Sequence, residues 1–371
     1  MMTLQTWWLL LWLGCAGSRP VERVVAPIGL SDKIAVQADA AAEPIHWPHR
    51  TGQWMGAGPA RQPEVVWSNR LAGPVVHPLT SDGETVFVVA GGTVYAMDAQ
   101  GVKRWTAEVR AAGPAVVAGE EVLVPQDGGR VVILSKSTGQ VVRETEPTGR
   151  TVAAPAVADG VVVWTTVDGI LATSDGGRQR IATAALTDMA SEGGDIYVGS
   201  KVAEAIRVDR SGVVWRTALP GPAVAHPVIG PSVVYVPYSA SAQDSGGVAA
   251  LSKSDGRLMW TASVKGGPAA APALGDLLVV PGRAGELLGI DPEHGGVRWK
   301  TPGYGAFTVQ PLIAAGMTYA GNADGRMHRV DLHDGGIAWS VDLSGTITGD
   351  PALMAGRIYV GMVDGRILCL K

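Results

Sequence analysis

Short apolar runs alternate with turns rich in glycine and aspartate along most of the chain. One copy of this pattern, Gly285–Trp299, reads GELLGIDPEHGGVRW: an apolar strand, an Asp, a turn containing glycine, and a strand ending in Trp. Similar copies occupy Gly325–Trp339, Gly247–Trp260 and Gly92–Trp105. Val, Ile and Tyr favour pleated strands, and Gly reaches the positive φ that tight turns need. The pattern therefore predicts an all-β chain.

The tryptophan that ends each copy sets the period. Two degenerate copies place Arg143 and Ile181 in the tryptophan position, and subtracting successive residue numbers gives intervals of 34 to 45 residues. A Pro near the start of each repeat has the same period, with Met189 in the eighth place. A period of about 40 residues with four short strands predicts a β-propeller. The tryptophans at this position are Trp67, Trp105, Trp215, Trp260, Trp299 and Trp339.

The two ends of the repeat array predict how the ring closes. The last repeat, Asp350–Lys371, contains three predicted strands and stops where a tryptophan strand is expected, whereas Val65–Leu71 is a tryptophan strand without a repeat before it. An open ring exposes a sheet edge, so we expect the N-terminal strand to complete the last blade. The prediction is an eight-bladed β-propeller of four-stranded antiparallel blades. The strands predicted for the first blade are Pro74–Leu79, Thr85–Val89, Thr93–Asp98 and Val102–Ala107.

The N-terminal region predicts export. Residues 1–14 contain a short apolar run, Leu9–Leu13, placed as in a signal peptide, and Cys15 follows it. This resembles a bacterial lipoprotein signal, which implies acylation of Cys15 and a periplasmic protein anchored to the outer membrane. Ordinary signal cleavage with an incidental Cys15 is the alternative. We expect residues 15–62 to form a flexible tether and residues 63–371 to form the propeller, with Trp47–Gly52 packed on its rim.

Composition narrows the choice of partners. The net charge is -4 and the pI is near 6.0, with Lys and Arg scattered along the chain. Nothing in this charge pattern favours nucleic acid, and we expect a monomer. Cys15 and Cys369 are the only cysteines of the sequence. They either pair with each other or leave Cys369 as a packed free thiol, which is the interpretation we favour.

The repeat resembles that of the PQQ-like, or quinoprotein-type, propellers. Ala250–Gly256 followed by Trp260 is similar to their pattern Ala-x-Asp-x-x-Thr-Gly-x-x-x-Trp, and Gly289–Trp299 and Arg329–Trp339 carry Asp in the expected place. This superfamily contains PQQ-dependent dehydrogenases and the propeller lipoprotein of the outer-membrane β-barrel assembly machinery. Fold alone does not choose between these functions. Because an outer-strand indole buries a large apolar area, we expect the repeat tryptophans to dock neighbouring blades.

The axial channel is the place to look for chemistry. The residue before each repeat Pro gives one channel-mouth candidate per blade, and the polar candidates are His77, Asp188, His226, Gln310 and Asp350. Opposite sides of a wide ring are too far apart for metal–ligand bonds of about 2 Å. We therefore predict no metal, no cofactor and no catalytic residue, since catalysis needs convergent groups.

These observations favour a non-enzymatic, exported propeller lipoprotein that acts as a protein-interaction scaffold in the cell envelope. Outer-membrane protein assembly is its expected setting, with assembly components as partners. A PQQ-dependent periplasmic oxidoreductase and a propeller that binds a peptide or glycan are the alternatives. The polar segment Tyr238–Gly247 is the longest excursion between strands and the predicted recognition loop.

Overall fold

The computed structural model describes residues 51–54, 56–240 and 245–371. Within these ranges the chain is all-β, and its strands form eight four-stranded antiparallel sheets, which are the blades of one ring. In seven of them the strands pair in chain order, and the eighth takes one strand from the N-terminal side. The predicted eight-bladed propeller is therefore confirmed.

Blades one to four follow one another along the chain. Blade one contains β2 (Thr80–Ser81), β3 (Val86–Ala90), β4 (Thr93–Met97) and β5 (Lys103–Glu108). Blade two contains β6 (Val116–Ala118), β7 (Glu121–Pro125), β8 (Val131–Ser135) and β9 (Val141–Glu144). Blade three contains β10 (Ala156–Ala158), β11 (Val161–Thr165), β12 (Ile170–Thr173) and β13 (Arg178–Arg180). Blade four contains β14 (Ala190–Glu192), β15 (Asp195–Ser200), β16 (Glu204–Asp209) and β17 (Gly212–Ala218).

Blades five to eight complete the ring. Blade five contains β18 (Val228–Ile229), β19 (Val233–Ser239), β20 (Gly246–Ser252) and β21 (Leu258–Ser263). Blade six contains β22 (Ala273–Leu274), β23 (Leu278–Pro281), β24 (Glu286–Ile290) and β25 (Val297–Pro302). Blade seven contains β26 (Leu312–Ala314), β27 (Met317–Gly321), β28 (Arg326–Asp331) and β29 (Ile337–Asp342). Blade eight contains β30 (Ile347–Met354), β31 (Arg357–Met362), β32 (Arg366–Leu370) and β1 (Val65–Arg70).

The N-terminal strand closes the ring as predicted. Strand β1 pairs antiparallel with β32, with Trp67 opposite Cys369. The backbones of Glu64 and Lys371 exchange two hydrogen bonds of 3.0 and 3.1 Å, which extend this pairing to the last residue of the sequence. The innermost strands of blades one and eight, β2 and β30, also contact each other. Closure thus pairs the edge that an open ring would expose.

The first strand of blade one does not lie where the sequence predicted it. The segment Pro74–Leu79 is a connection that bonds to blade eight: Val75 N donates to Met362 O at 3.1 Å and Leu79 N to Asp350 O at 3.0 Å. Prolines lack the N–H that a ladder needs. Strand β2 therefore begins after Pro78, and only its two residues pair with β3.

The hydrophobic core lies between the blades. Seven clusters of buried apolar residues occur among the described residues, and most of them combine strands of two adjacent blades. The innermost strands of several neighbouring blades also contact one another around the axis. Because each sheet covers its faces only by stacking on the next, the repeats are stable as a ring rather than singly.

The described part of the predicted tether lies against blades six, seven and eight. Thr51 O accepts a 2.7 Å bond from Leu274 N, and the backbones of Gly52 and Trp54 bond to Ile313 at 2.8 Å. Gly58 packs on the Tyr319 ring. The segment therefore crosses from the inner strands towards the outer rim before β1 begins.

Two further features concern export and redox state. Cys369 is a buried free thiol, and its burial raises the pKa of that thiol. Cys15 and the predicted signal peptide lie outside the described residues, as does Trp47. Over the described ranges, no helix has the length and apolar character that crossing a membrane requires.

Candidate functional site

The five axial candidates lie at the inner edge of the ring. Asp188 precedes β14, His226 precedes β18 and Gln310 precedes β26, while Asp350 lies within β30. His77 comes shortly before β2. Gln310 and His226 are each 5% exposed, and the other three side chains are partly exposed.

Two of these side chains make the same contact in different blades. Asp188 Oδ1 accepts a 2.8 Å hydrogen bond from the backbone N of Ala154 in the preceding blade. Asp350 Oδ1 accepts a 2.8 Å bond from the backbone N of Gln310, again in the preceding blade. Since Ala154 and Gln310 are both the residue before a repeat Pro, these carboxylates join neighbouring blades at one repeated position. Charge-assisted bonds of this kind hold a backbone strongly.

Gln310 extends this connection to a third blade. Its side-chain Nε2 donates a 2.8 Å bond to Pro272 O of blade six, while its backbone is held by Asp350 of blade eight. The Gln310 amide also lies close to Gly52, where an added Cβ would approach Nε2 to 3.3 Å. The axial region around blades six to eight is therefore connected by hydrogen bonds and covered by the N-terminal segment.

The structure perturbs the protonation of His77. Burial lowers the pKa of its imidazole, and the negative charge of Asp188 in blade four raises it by a smaller amount. The two side chains therefore interact although blades one and four are not neighbours. At neutral pH the lowered pKa favours the uncharged imidazole.

By the resemblance to the quinoprotein dehydrogenases, a PQQ–calcium site would use Glu and Asn as calcium ligands with an Asp base nearby, and the sequence has two asparagines, Asn69 and Asn322. Across the described ranges no group of three or more His, Cys, Asp or Glu is placed to hold a metal ion. Asn69 lies on the outer strand β1 and donates to Gly101 O at 2.7 Å. Asn322 is a turn residue whose Oδ1 accepts the Arg326 N–H at 2.9 Å. Both asparagines thus hold turns rather than facing the axial carboxylates.

The predicted recognition loop is largely a β-hairpin. Tyr238 pairs with Gly247 and Ser239 with Gly246, so the strands β19 and β20 continue into the segment predicted to be a loop. Ala240 N donates to Ser245 O at 2.9 Å beyond them. Residues 241–244 lie outside the described residues. This hairpin is anchored, because Ser239 N also donates to Pro222 O at 2.9 Å.

The repeat tryptophans lie at one register position across the sheets. In blade one the residues paired side by side are Thr80, Phe87, Ala96 and Trp105, and six blades have Trp at the outer end of this row. The other such rows end in Trp215, Trp260, Trp299, Trp339 and Trp67.

Each of these six indoles bonds to the chain beyond its own blade. In blade one Trp105 Nε1 donates to Lys136 O of blade two at 2.8 Å, and in blade six Trp299 donates to Leu332 O of blade seven at 2.9 Å. Trp339 instead bonds to Pro59 O at 3.2 Å, because the fourth strand of blade eight comes from the N-terminal side. The remaining three bonds are Trp67 to Ala99, Trp215 to Lys253 and Trp260 to Pro292.

A glycine of the neighbouring turn packs on the face of the indole. Gly139, with φ +71°, lies so close to Trp105 that an added Cβ would be 2.4 Å from its ring. Gly335 has φ +76°, and a Cβ added to it would lie 2.8 Å from the Trp299 ring. Only glycine combines this backbone conformation with this close approach.

Two blades lack the tryptophan, and the prediction for one of them was wrong. Arg143 occupies the row position in blade two, opposite Ile133, as predicted, and its guanidinium pairs with Glu121. In blade three the row runs Ala156, Val163, Thr173, and Thr173 N bonds to Gly177 O at 2.9 Å. Gly177, rather than Ile181, therefore lies at the tryptophan position. The hairpin between β12 and β13 turns early, which places Ile181 beyond the strand.

Beside this incomplete row lies a cavity that sequence reasoning missed. A pocket of about 390 Å³ lies between blades three and four, and its wall includes Val163, Thr173 and Gly177 of the incomplete row. Cavities of about 510 and 350 Å³ also lie between blades four and five and between blades six and seven, where the row ends in Trp. The signal for the incomplete row was present in the sequence, since the third repeat has no Trp at its end and its one tryptophan, Trp164, lies on β11, but spacing alone assigned the position to Ile181.

The same repeat architecture occurs in a known protein family. A family model described as outer membrane protein assembly factor BamB matches residues 60–112, 90–181, 177–308 and 305–371. These matches cover more than half of the chain. The chain therefore belongs to this family of PQQ-like propellers.

Solved structures share the fold at low sequence identity. BamB from Moraxella catarrhalis superposes with a TM-score of 0.69 at 16% identity, covering 83% of this chain and 97% of that chain. The quinohemoprotein alcohol dehydrogenase from Comamonas testosteroni superposes with a TM-score of 0.69 at 12% identity, covering 89% of this chain and 80% of that chain. The computationally designed Ika8 protein superposes with a TM-score of 0.69 at 16% identity, covering 81% of this chain and 98% of that chain. No curated protein sequence matches the chain.

Proposed function

We propose that this protein is a non-enzymatic, exported propeller lipoprotein that acts as a protein-interaction scaffold in the assembly of outer-membrane proteins. The observation that carries the proposal is the match of the assembly-factor family model from residue 60 to residue 371. The likeness to an alcohol dehydrogenase shows only the fold, since identity is 12%.

The axial region supports a binding role over catalysis. Asp188 and Asp350 each accept a hydrogen bond from a backbone N–H of a neighbouring blade, so these carboxylates connect the blades of the propeller. Catalysis needs an acid, base or nucleophile placed against a substrate position. The five axial candidates thus remain candidates for the lining of a channel mouth rather than for chemistry.

The anchor is the second part of the proposal. Acylation of Cys15 would hold the ring at the outer membrane, and its several acyl chains would make that attachment stable. Intact-mass measurement of the mature N-terminus tests this directly, with Cys15→Ser as the control. A mature protein that begins elsewhere, without an added lipid mass, would contradict the anchor and leave the scaffold role to be tested separately.

The partner experiment uses the tagged full-length protein. Chemical crosslinking in native envelopes followed by affinity purification should recover outer-membrane assembly proteins. Preparations that contain no stable protein partner, or saturable binding of PQQ with calcium by the purified protein, would contradict the proposed function.

A hairpin variant locates recognition on the ring. Residues 241–244 are replaced by Asn-Gly, which suits a two-residue turn between the paired Ala240 and Ser245. We expect unchanged thermal unfolding and weaker partner recovery. The control changes Gly119 to Asn in the turn between β6 and β7 of blade two, where φ is +61° and an added Cβ meets nothing within 4 Å. Equal recovery in both variants would remove the blade-five hairpin from the binding surface.

A further inference from the structure

The pocket between blades three and four occupies the place where other blades hold an indole. Five blades place Phe or Tyr beside their Trp, with ring centroids 5.8 to 6.1 Å apart. Blade three has Val163 and Gly177 at these two positions. Both large rings are therefore missing from the same interface, and the cavity of about 390 Å³ falls within the range of small-molecule pockets.

The wall of this pocket suits an aromatic ring. Its apolar part is formed by both blades, and polar side chains lie at its edge. The apolar part includes Val161, Val163, Leu171 and Ile196. At the edge, Arg210 bonds to Asp159 O at 3.1 Å, which holds its guanidinium beside the opening. Arg178 also lines the pocket, and guanidinium groups bind well over aromatic faces.

The opposite wall contains the turn that accepts the indole N–H in other blades. In the Trp105 and Trp299 interfaces the acceptor is the carbonyl of the first turn residue after β8 and β28, Lys136 and Leu332. The counterpart after β16 is Arg210. Gly212 of this turn, with φ +126°, has the Gln179 side chain 3.1 Å from an added Cβ where other turns have a tryptophan ring.

We propose that this pocket binds the indole ring of a tryptophan carried by a partner polypeptide. The propeller already binds indoles in this way, because six equivalent positions hold a tryptophan whose indole N–H donates a hydrogen bond. The proposal deepens the scaffold function and rests on it, since it assigns that function a recognition site.

The outer strand of blade three favours a polypeptide as the carrier. Strand β13 has three residues, all exposed, and forms the outer edge of its sheet. The corresponding strand β25 of blade six has six residues. An extended peptide can add to a free sheet edge through main-chain bonds while one side chain enters a pocket. The short strand β13 leaves such a peptide access to the cavity beside it.

The test uses two fluorinated probes and the purified full-length protein. Fluorine NMR measures binding of 5-fluoroindole and of a hexapeptide with one central 5-fluorotryptophan. We expect both to bind, the peptide at least about tenfold tighter because its backbone also contacts the protein. In Val163→Phe, which places a ring in the pocket, binding of both should weaken about tenfold or more. Val214→Phe, the same change at an exposed site of blade four, should bind as the wild type does.

The outcomes separate this site from the scaffold function. Loss of probe binding in Val163→Phe supports the site if the midpoint temperature of thermal unfolding is no lower than that of the wild type. Arg178→Ala provides a second test without a core change and should also weaken binding. Equal affinity for free indole and peptide would overturn the polypeptide source.

No probe binding, or binding unchanged by both variants, would overturn the site even if partners are still recovered from envelopes. Recovery of no partner would overturn the function while probe binding is still measured.

Discussion

The interface between blades six and seven and the interface between blades three and four differ in one row of residues. At the first, Trp299 occupies the row position, is 7% exposed and donates to Leu332 O across the interface. A pocket of about 350 Å³ lies beside it, lined by Leu277, Arg298 and Leu332 but not by the row residues themselves. In the second, Gly177 takes the tryptophan position and a cavity opens beside it. The same fold thus uses one position for cohesion and leaves it open elsewhere. A repeat that departs from the pattern is therefore where a binding role is best sought.

The largest expected effect comes from emptying the filled interface. Trp299→Ala should lower the free energy of unfolding by about 3–5 kcal/mol, because it leaves a cavity and removes a buried hydrogen bond. Arg178→Ala at the open interface should change it by less than about 0.5 kcal/mol, as an exposed side chain does. Urea unfolding of both variants measures the difference. Equal losses would show that the tryptophan row does not hold blades together.

The next comparison places a larger side chain at the same row position of blades six and three. Val279 and Val163 occupy the same row position, and Val279 is fully buried beside Trp299. Val279→Phe should destabilise the protein by about 1–3 kcal/mol because Val279 is fully buried, lines none of the described pockets, and a larger side chain there overpacks the core. Val163→Phe should stabilise it by about 0.5–2 kcal/mol by filling the pocket. The two thermal midpoints should move in opposite directions, and movement in the same direction would contradict the cavity.

The turn glycines sharpen the same contrast. Gly139→Ala forces a Cβ against Trp105, whereas an added Cβ at Gly160, in a turn of blade three, meets nothing within 4 Å. The two residues have nearly the same positive φ, +71° and +75°, so both variants carry similar backbone strain. We expect the Gly139 variant to be less stable than the Gly160 variant by about 1 kcal/mol or more, the cost of overpacking. Chemical unfolding of the pair isolates the contact, and identical midpoints would argue against it.

The smallest effect concerns pH. The filled side of the ring contains His328, whose ring lies 5.7 Å from that of Phe307, and burial lowers the pKa of its imidazole. Because the unfolded chain then binds protons more readily, stability is complete above about pH 6.5 and falls as pH decreases through the lower folded pKa.

Substitution gives this pH dependence a test. His328→Gln should flatten the loss of thermal stability between neutral pH and pH 5, and His77→Gln should do so as well, since burial also lowers the pKa of His77. Val214→Phe, an exposed change without a titrating group, should keep the slope of the wild type. A steeper slope in either glutamine variant would mean that the imidazole does not lose stability on protonation, contrary to its lowered pKa.

Much of the fold was accessible from the sequence because it depends on a period. The position of Trp67 and the missing last strand predicted the pairing of β1 with β32. Pro74–Leu79 was wrongly predicted to be a strand because it stands where the repeat places the first strand of a blade, although its backbone bonds to blade eight.

The site was less accessible, for a physical reason. Spacing alone could not show that the hairpin of blade three turns early, so Ile181 was given a place that Gly177 holds. The bonds of Asp188 and Asp350 to neighbouring backbones depend on how blades stack, which no local pattern encodes. The two aspartates that were predicted from their chemistry thus bond to backbone groups, while the cavity lies beside the small residue Gly177.

Photo-crosslinking from matched positions on the outer strands tests most directly whether the open interface binds a partner. Benzoylphenylalanine is placed at Arg180, an exposed residue of β13 outside the pocket lining, or at Thr261, an exposed outer-strand residue that follows Trp260 in blade five. Both full-length variants are then irradiated in native envelopes. We expect a covalent adduct with a partner protein from position 180 and none from position 261. Adducts of equal yield from both positions, or an adduct from position 261 alone, would contradict a binding role for the interface between blades three and four.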